Sequence, residues 1–146
     1  MTRATEEPLR LPIRRDTDLT VVRQHVRSAA QRLGFGLVQQ TKVVTAASEL
    51  ARNTLLHGGG GEAEIRVLHG ESGPGLSVSF VDSGPGIPDV GMALTDGYST
   101  AGGLGMGLSG SKRLVQDFAI DSSAEQGTRV TITAWSDPFA ARRGVR

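Results

Sequence analysis

The sequence predicts an α+β fold, a mostly antiparallel sheet with helices packed on one face. Three observations predict it. Apolar residues step by three and four along about 16–33 and 38–57, but alternate along about 62–69, 75–82 and 128–135. The helical stretches are adjacent and the strands come as hairpins, giving the order β-α-α-β-β-α-β-β. Finally, 20 glycines cluster between the periodic stretches, where average usage would give about ten.

Each element has its own signal. Leu11-Pro12-Ile13 reads as a short edge strand, limited by its proline. Asp16 or Thr17 is placed to cap the first helix, which buries Leu19, Val22, Val26, Ala29, Ala30 and Leu33 and stops at Gly34-Phe35-Gly36. The second helix buries Val43, Val44, Ala47, Leu50, Ala51, Thr54 and Leu55, and Gly58 to Gly61 end it. Ile65 and Val67 alternate on the next strand, and Leu76, Val78 and Phe80 on its partner. No regular pattern holds over 83–104, and a loop of that length in a compact domain points to function or motion. A third helix, about 105–118, carries Leu108, Ser111, Leu114, Val115 and Phe118 on one face. A strand near 119–123, a turn at Glu125-Gln126-Gly127 and a strand with Val130, Ile132 and Ala134 close the domain. The whole of 1–146 reads as one domain with a core of about 11–135 and a polar, frayed tail over 136–146.

Composition narrows the function. Hydrophobic residues are 38% and charged residues 21%, as in a soluble globular protein. A net charge of +1 argues against a nucleic-acid surface driven by bulk charge. The absence of cysteine excludes disulfides and thiolate metal sites. No apolar run approaches the ~20 residues of a membrane span, and the N-terminal stretch lacks an apolar signal core. The reading is a cytoplasmic protein with neither nucleic-acid nor membrane partners.

Four short motifs carry chemistry. Glu49 and Asn53 in ASELARN are four apart, on one helix face at the edge of the apolar stripe. There a carboxylate can act as a base and an amide oxygen as a hard ligand for Mg²⁺; the same spacing alone also suits two solvated positions. Asp82 ends a strand and is followed by Gly84, Pro85, Gly86 and Pro88, a lone acceptor beside open space. Such an acceptor suits the exocyclic amino group of adenine, though an aspartate is also common in a plain turn. In TAGGLGMGLSGSK, Gly102, Gly103, Gly105 and Gly107 precede or open the third helix, where bare amides and the helix dipole favour phosphate. Gln126-Gly127-Thr128 places a hydroxyl before the last strand, or forms an ordinary turn.

Two near matches fail. Gly105-x-Gly107-x-x-Gly110 lacks the preceding strand that a dinucleotide fingerprint needs, and in a Walker A register Ser111 stands where the lysine belongs.

Taken in order, ExxxN on a helix, DxGxG after a strand, GGLGxG opening a helix and GT before a strand resemble the Bergerat nucleotide fold of the GHKL superfamily over about 40–135. That implies a two-layer sandwich binding ATP with Mg²⁺. Within it, ASELARN, DSGPGIPD, DGYSTAGGLGMGLSGSKRLVQDF and QGT resemble the RsbT family of serine/threonine switch kinases. Their siblings, the RsbW-like anti-sigma kinases, share the boxes with a different segment between them.

The resemblance implies a role for each matching position. Glu49 would be the catalytic base and Asn53 the Mg²⁺ ligand. Asp82 would read adenine, with Gly84, Gly86, Ile87 and Thr128 beside it. Gly102, Gly103, Leu104, Gly105, Met106, Gly107 and Leu108 would line the phosphates, with 89–104 as a lid. Arg52 and Lys112 are further candidates for phosphate. Histidine kinases generally carry Asn where Glu49 stands, and an acid there suits a hydroxyl acceptor, which must lose its proton. The family further implies STAS-domain proteins of the RsbS or RsbR type as substrate and scaffold, and an RsbU-like phosphatase as the next partner. The alternatives are an RsbW-like kinase or nucleotide-controlled module that sequesters a sigma factor, and a detached histidine-kinase catalytic domain. His25 reads as a surface histidine.

Overall fold

The computed structural model describes residues 3–4, 7–84, 107–123 and 125–137. Among them the order is β1 (Arg3–Ala4), β2 (Leu9–Ile13), α1 (Asp16–Arg32), α2 (Leu37–Leu56), β3 (Gly61–Gly70), β4 (Gly73–Asp82), α3 (Gly107–Arg113), β5 (Asp117–Ser123) and β6 (Gly127–Trp135). Every strand pair is antiparallel. The sheet order is β1-β3-β4-β6-β5, and β2 also pairs β3.

Alternation divides the sheet into two faces. Ile65 faces Val78 and Ala63 faces Phe80 across β3 and β4, while Val78 faces Ile132 and Phe80 faces Val130 across β4 and β6. These residues are buried in one core with Val22 and Val26 of α1 and Val43, Ala47 and Leu50 of α2. The helices therefore cover one face, as the periodicities require. Burying each such Val, Leu, Ile or Phe stabilises the fold by about 1.5–3 kcal/mol. α2 packs against both α1 and α3 and lies over β4.

The ends of α1 show how local sequence sets a helix. Asp18 accepts from the backbone N–H of Arg14 and of Arg15, at 2.8 and 3.1 Å. Asp16 is thus the first helical residue and not the cap. An acid three residues in can reach back to two orphan donors, which Asp16 cannot. At the other end Phe35 N–H donates to Ala30 and Gly34 N–H to Gln31, with Gly34 at φ 81°. This is a Schellman stop, and it buries Phe35.

Three other expectations are revised. The third helix ends at Arg113, and Phe118 belongs to β5 instead. Phe118 and Ile120 alternate opposite Ile132 and Val130, and pairing with a neighbouring strand outweighs the helical spacing. The first edge strand begins at Leu9, and the short β1 adds to the same edge. The tail is tied at Ser136, whose N–H donates to Pro74 O at 2.9 Å and whose carbonyl accepts from Gln39. Residues 138–146 lie outside the described residues. Gln39 also donates to Trp135 O at 3.0 Å, pinning the start of α2 to the end of β6.

Candidate nucleotide site

The inner row of β4 runs Leu76, Val78, Phe80, Asp82, so its last member is a carboxylate. Asp82 is 9% exposed. Its strand partner is Thr128, also buried, and Thr128 Oγ1 lies 2.8 Å from Ser122 Oγ on β5. The apolar inner face thus ends in a polar row, Asp82–Thr128–Ser122, across three strands.

Two features hold the carboxylate. Gly84 N–H donates to Asp82 Oδ1 at 2.8 Å. Asp82 Oδ2 has no hydrogen bond among the described residues, and no side-chain oxygen among them is both sealed off and unpaired. Above Asp82 lies Gly58, just past the end of α2. A Cβ built on Gly58 would stand 2.5 Å from Asp82 Oδ2 and 2.6 Å from Asp82 Cβ. Below, Gly127 has φ 82°, and a Cβ there would run into Asp82 O. The chain closes on this acid from both sides only because glycine stands at both places.

The remaining candidates sort by element. Glu49, Arg52 and Asn53 are half-buried on α2, as positions at the edge of an apolar stripe should be. No side-chain hydrogen bond or ion pair among the described residues engages Glu49 or Asn53. The Asn53 main-chain carbonyl accepts from His57 N–H at 2.8 Å and Gly58 N–H at 3.2 Å, so the residue that offers its amide also shapes the exit of α2 over Asp82. Leu108 is half-buried on α3 and packs on the core. Lys112 is exposed in the last turn of α3, where a cation suits the helix dipole, and no ion pair among the described residues joins it to the Asp82 row. Gly107 opens α3. Gly86, Ile87, Gly102, Gly103, Leu104, Gly105 and Met106, with the lid expected over 89–104, lie outside the described residues.

Gly58 and Ser122 are absent from the sequence-based candidates. The run Gly58 to Gly61 reads as a helix stop, but four glycines exceed what a stop needs. Ser122 would have followed from starting β5 at Asp117, since it continues the row of Phe118 and Ile120.

A groove of about 730 Å³ opens at the end of β4, lined by Asp82 and Ser83, by the glycines 59–61 and by Arg10, Pro12, Arg14, Glu62 and Val81. It shares Asp82 with the inner polar row, while Arg10, Pro12, Glu62 and Val81 belong to the outer row of the sheet.

Residues 38–138 match the family described as histidine kinase-, DNA gyrase B- and HSP90-like ATPase. The chain is 44% identical over 118 residues to the serine/threonine-protein kinase RsbT of Bacillus subtilis (strain 168), covering 81% of this chain and 89% of that protein. It is 33% identical over 98 residues to an anti-sigma F factor of Bacillus licheniformis, 64% of this chain and 67% of that one. The crystal structure of the RsbU and RsbW domains of a Mycobacterium tuberculosis protein superposes with a TM-score of 0.60 at 21% identity. That match covers 91% of this chain and 33% of the other, and it shows a shared fold. The expected nucleotide fold and the expected family are both borne out: the chain belongs to the histidine kinase-, DNA gyrase B- and HSP90-like ATPases and, within them, to the RsbT-like serine/threonine kinases.

Proposed function

We propose that this kinase transfers the γ-phosphoryl group of ATP to a serine or threonine of a STAS-domain protein of the RsbS or RsbR type. It then binds and activates an RsbU-like phosphatase, as one step of a stress-response partner switch. One observation carries the reading. An acid and an amide without side-chain partners among the described residues, Glu49 and Asn53, stand one turn apart on the helix whose end closes over Asp82. The identity to RsbT supports the same activity.

Each residue then has one task. Asp82 accepts a hydrogen bond from the adenine amino group, with Gly84, Gly86, Ile87 and Thr128 around the base. The glycine segment 102–107 and Leu108 receive the phosphates through main-chain N–H groups, and Arg52 and Lys112 add charge. Asn53 would hold Mg²⁺ through its neutral amide oxygen, and the ion would lower the charge on the phosphates. Mg²⁺ usually keeps several waters and takes one or two protein ligands plus phosphate oxygens. A single amide therefore fits it, and no group of three or more His, Cys, Asp or Glu forms a metal cage among the described residues. Glu49 accepts the proton of the acceptor hydroxyl as its oxygen attacks the γ-phosphorus, and ADP leaves.

A second reading has its own support, the anti-sigma F factor match and the fold shared with an RsbW domain. In it the chain binds a sigma factor under nucleotide control and transfer is secondary. No helix among the described residues is long and apolar enough to cross a membrane.

The deciding experiment incubates the purified chain with γ-labelled ATP, Mg²⁺ and a candidate STAS protein. Label on serine or threonine supports the proposal. Acid-labile label on histidine contradicts it, and stable binding of a sigma factor without transfer favours the second reading. Asn53→Ala should abolish transfer while the circular dichroism spectrum is kept, because Asn53 lies outside the buried stripe.

A further inference from the structure

We propose that Gly58 is a specificity-determining positioning residue, which sets the Asp82 carboxylate so that the site accepts 6-aminopurine nucleotides and rejects 6-oxopurine ones. This rests on the reading of Asp82 as the base-recognising acid.

The two oxygens of Asp82 are not equivalent. Oδ1 is committed to Gly84 N–H at 2.8 Å, while Oδ2 has no partner among the described residues. On the α2 side the carboxylate lies so close to Gly58 that no side chain fits between them. Even one methyl group on Gly58 would fall 2.5 Å from Oδ2 and 2.6 Å from Cβ. The neighbour that would have to give is a buried side chain, on the last residue of a ten-residue ladder. The outcome is one acceptor oxygen with a fixed direction.

A 6-amino group donates to such an acceptor. A 6-oxo group presents a second acceptor, so two lone pairs would face each other without a proton between them. Discrimination then depends on the carboxylate holding its orientation, and Gly58 is what holds it. Gly84 adds a corollary. In Asp82→Asn its N–H keeps the amide oxygen, so the NH₂ group must take the place of Oδ2. That variant should reverse the preference and favour the 6-oxopurine.

The test is calorimetric titration of the full chain with Mg²⁺ and either ATP or inosine triphosphate. Wild type should favour ATP by about tenfold to a hundredfold, the range for one hydrogen bond to a charged group. Asp82→Asn should favour inosine triphosphate. Gly58→Ala should lose most of the ATP preference while inosine triphosphate affinity moves by less than about threefold, since a displaced carboxylate neither gains nor loses a bond to an oxo group. A structural role alone would weaken both nucleotides together and leave their ratio intact. If Asp82→Asn reverses the preference but Gly58→Ala keeps it, the role of Gly58 is overturned and the reading of Asp82 stands. If wild type shows no preference, or Asp82→Asn leaves it unchanged, the reading of Asp82 fails and takes this inference with it. Where Gly58→Ala does not fold, Gly58→Ala with Asp82→Gly removes the opposing side chain. Recovery of the fold assigns the contact to Asp82, and continued misfolding overturns it.

Discussion

Among the described residues the sheet buries two carboxylates, and their surroundings are opposites. Glu64 is 6% exposed on the outer face and Asp82 is 9% exposed on the inner one. Glu64 has three guanidinium groups around it, Arg10 at 3.4 Å, Arg66 at 3.7 Å and Arg129 at 3.8 Å, supplied by β2, β3 and β6. Asp82 has no salt bridge among the described residues, and one backbone N–H holds it. A buried charge surrounded by cations has its desolvation offset within the fold. A buried charge with a spare oxygen keeps part of that cost until something else binds. Burial alone thus says little about function; what separates Asp82 from Glu64 is its unspent hydrogen-bonding capacity among the described residues.

Four measurements would break or sharpen this contrast. The largest effect belongs to a third acid, half-buried Glu49, whose side chain engages neither a cation nor an N–H among the described residues. Glu49→Gln should slow phosphoryl transfer by on the order of 10²–10⁴-fold, the usual worth of a general base, with ATP affinity kept. An unimpaired rate would remove Glu49 from the chemistry. Next, Asp82→Asn should cost ATP affinity about 1.5–3 kcal/mol yet leave folding stability unchanged or raised, since it removes a buried charge that lacks a cation. A clear fall in the urea midpoint would show that Asp82 is structural after all. Glu64→Gln should do the reverse, lowering stability by about 1–2 kcal/mol with ATP binding untouched; the value falls below that of a fully buried pair because the arginines keep access to water. Smallest is Arg129→Ala, about 0.5 kcal/mol, because its side chain is 49% exposed and two other cations remain near Glu64. A loss as large as that of Glu64→Gln would mean that the three arginines do not share the load.

Much of the fold is legible along the chain, because it depends on residues a few positions apart. The stripe Val43, Val44, Ala47, Leu50, Ala51, Thr54 and Leu55 identifies α2 and its buried side, although Leu55 is only half-buried and Ala46 is the one buried position it misses. The β3–β4 hairpin follows from its alternation, and Gly34 marks the end of α1 by the chemistry of its stop. The third helix is less legible. Leu114, Val115 and Phe118 keep helical spacing while Phe118 and Ile120 keep strand spacing, and only the presence of β6 decides between them.

The candidate site divides in the same way. Its residue types and their order are written in the sequence, since an acid, an amide, an isolated aspartate and clustered glycines are each visible within a few positions. That Thr128 extends the row begun by Asp82 depends on register between β4 and β6, strands far apart in the chain, and Ser122 then joins through the β5–β6 hairpin. The contact of Gly58 with Asp82, 24 positions apart, and the caging of Glu64 by arginines from three strands depend on it equally. Sequence determined which groups this protein has to work with. Tertiary structure decided which acid is neutralised and which is left with an oxygen to offer, because desolvation and pairing are properties of neighbours in space.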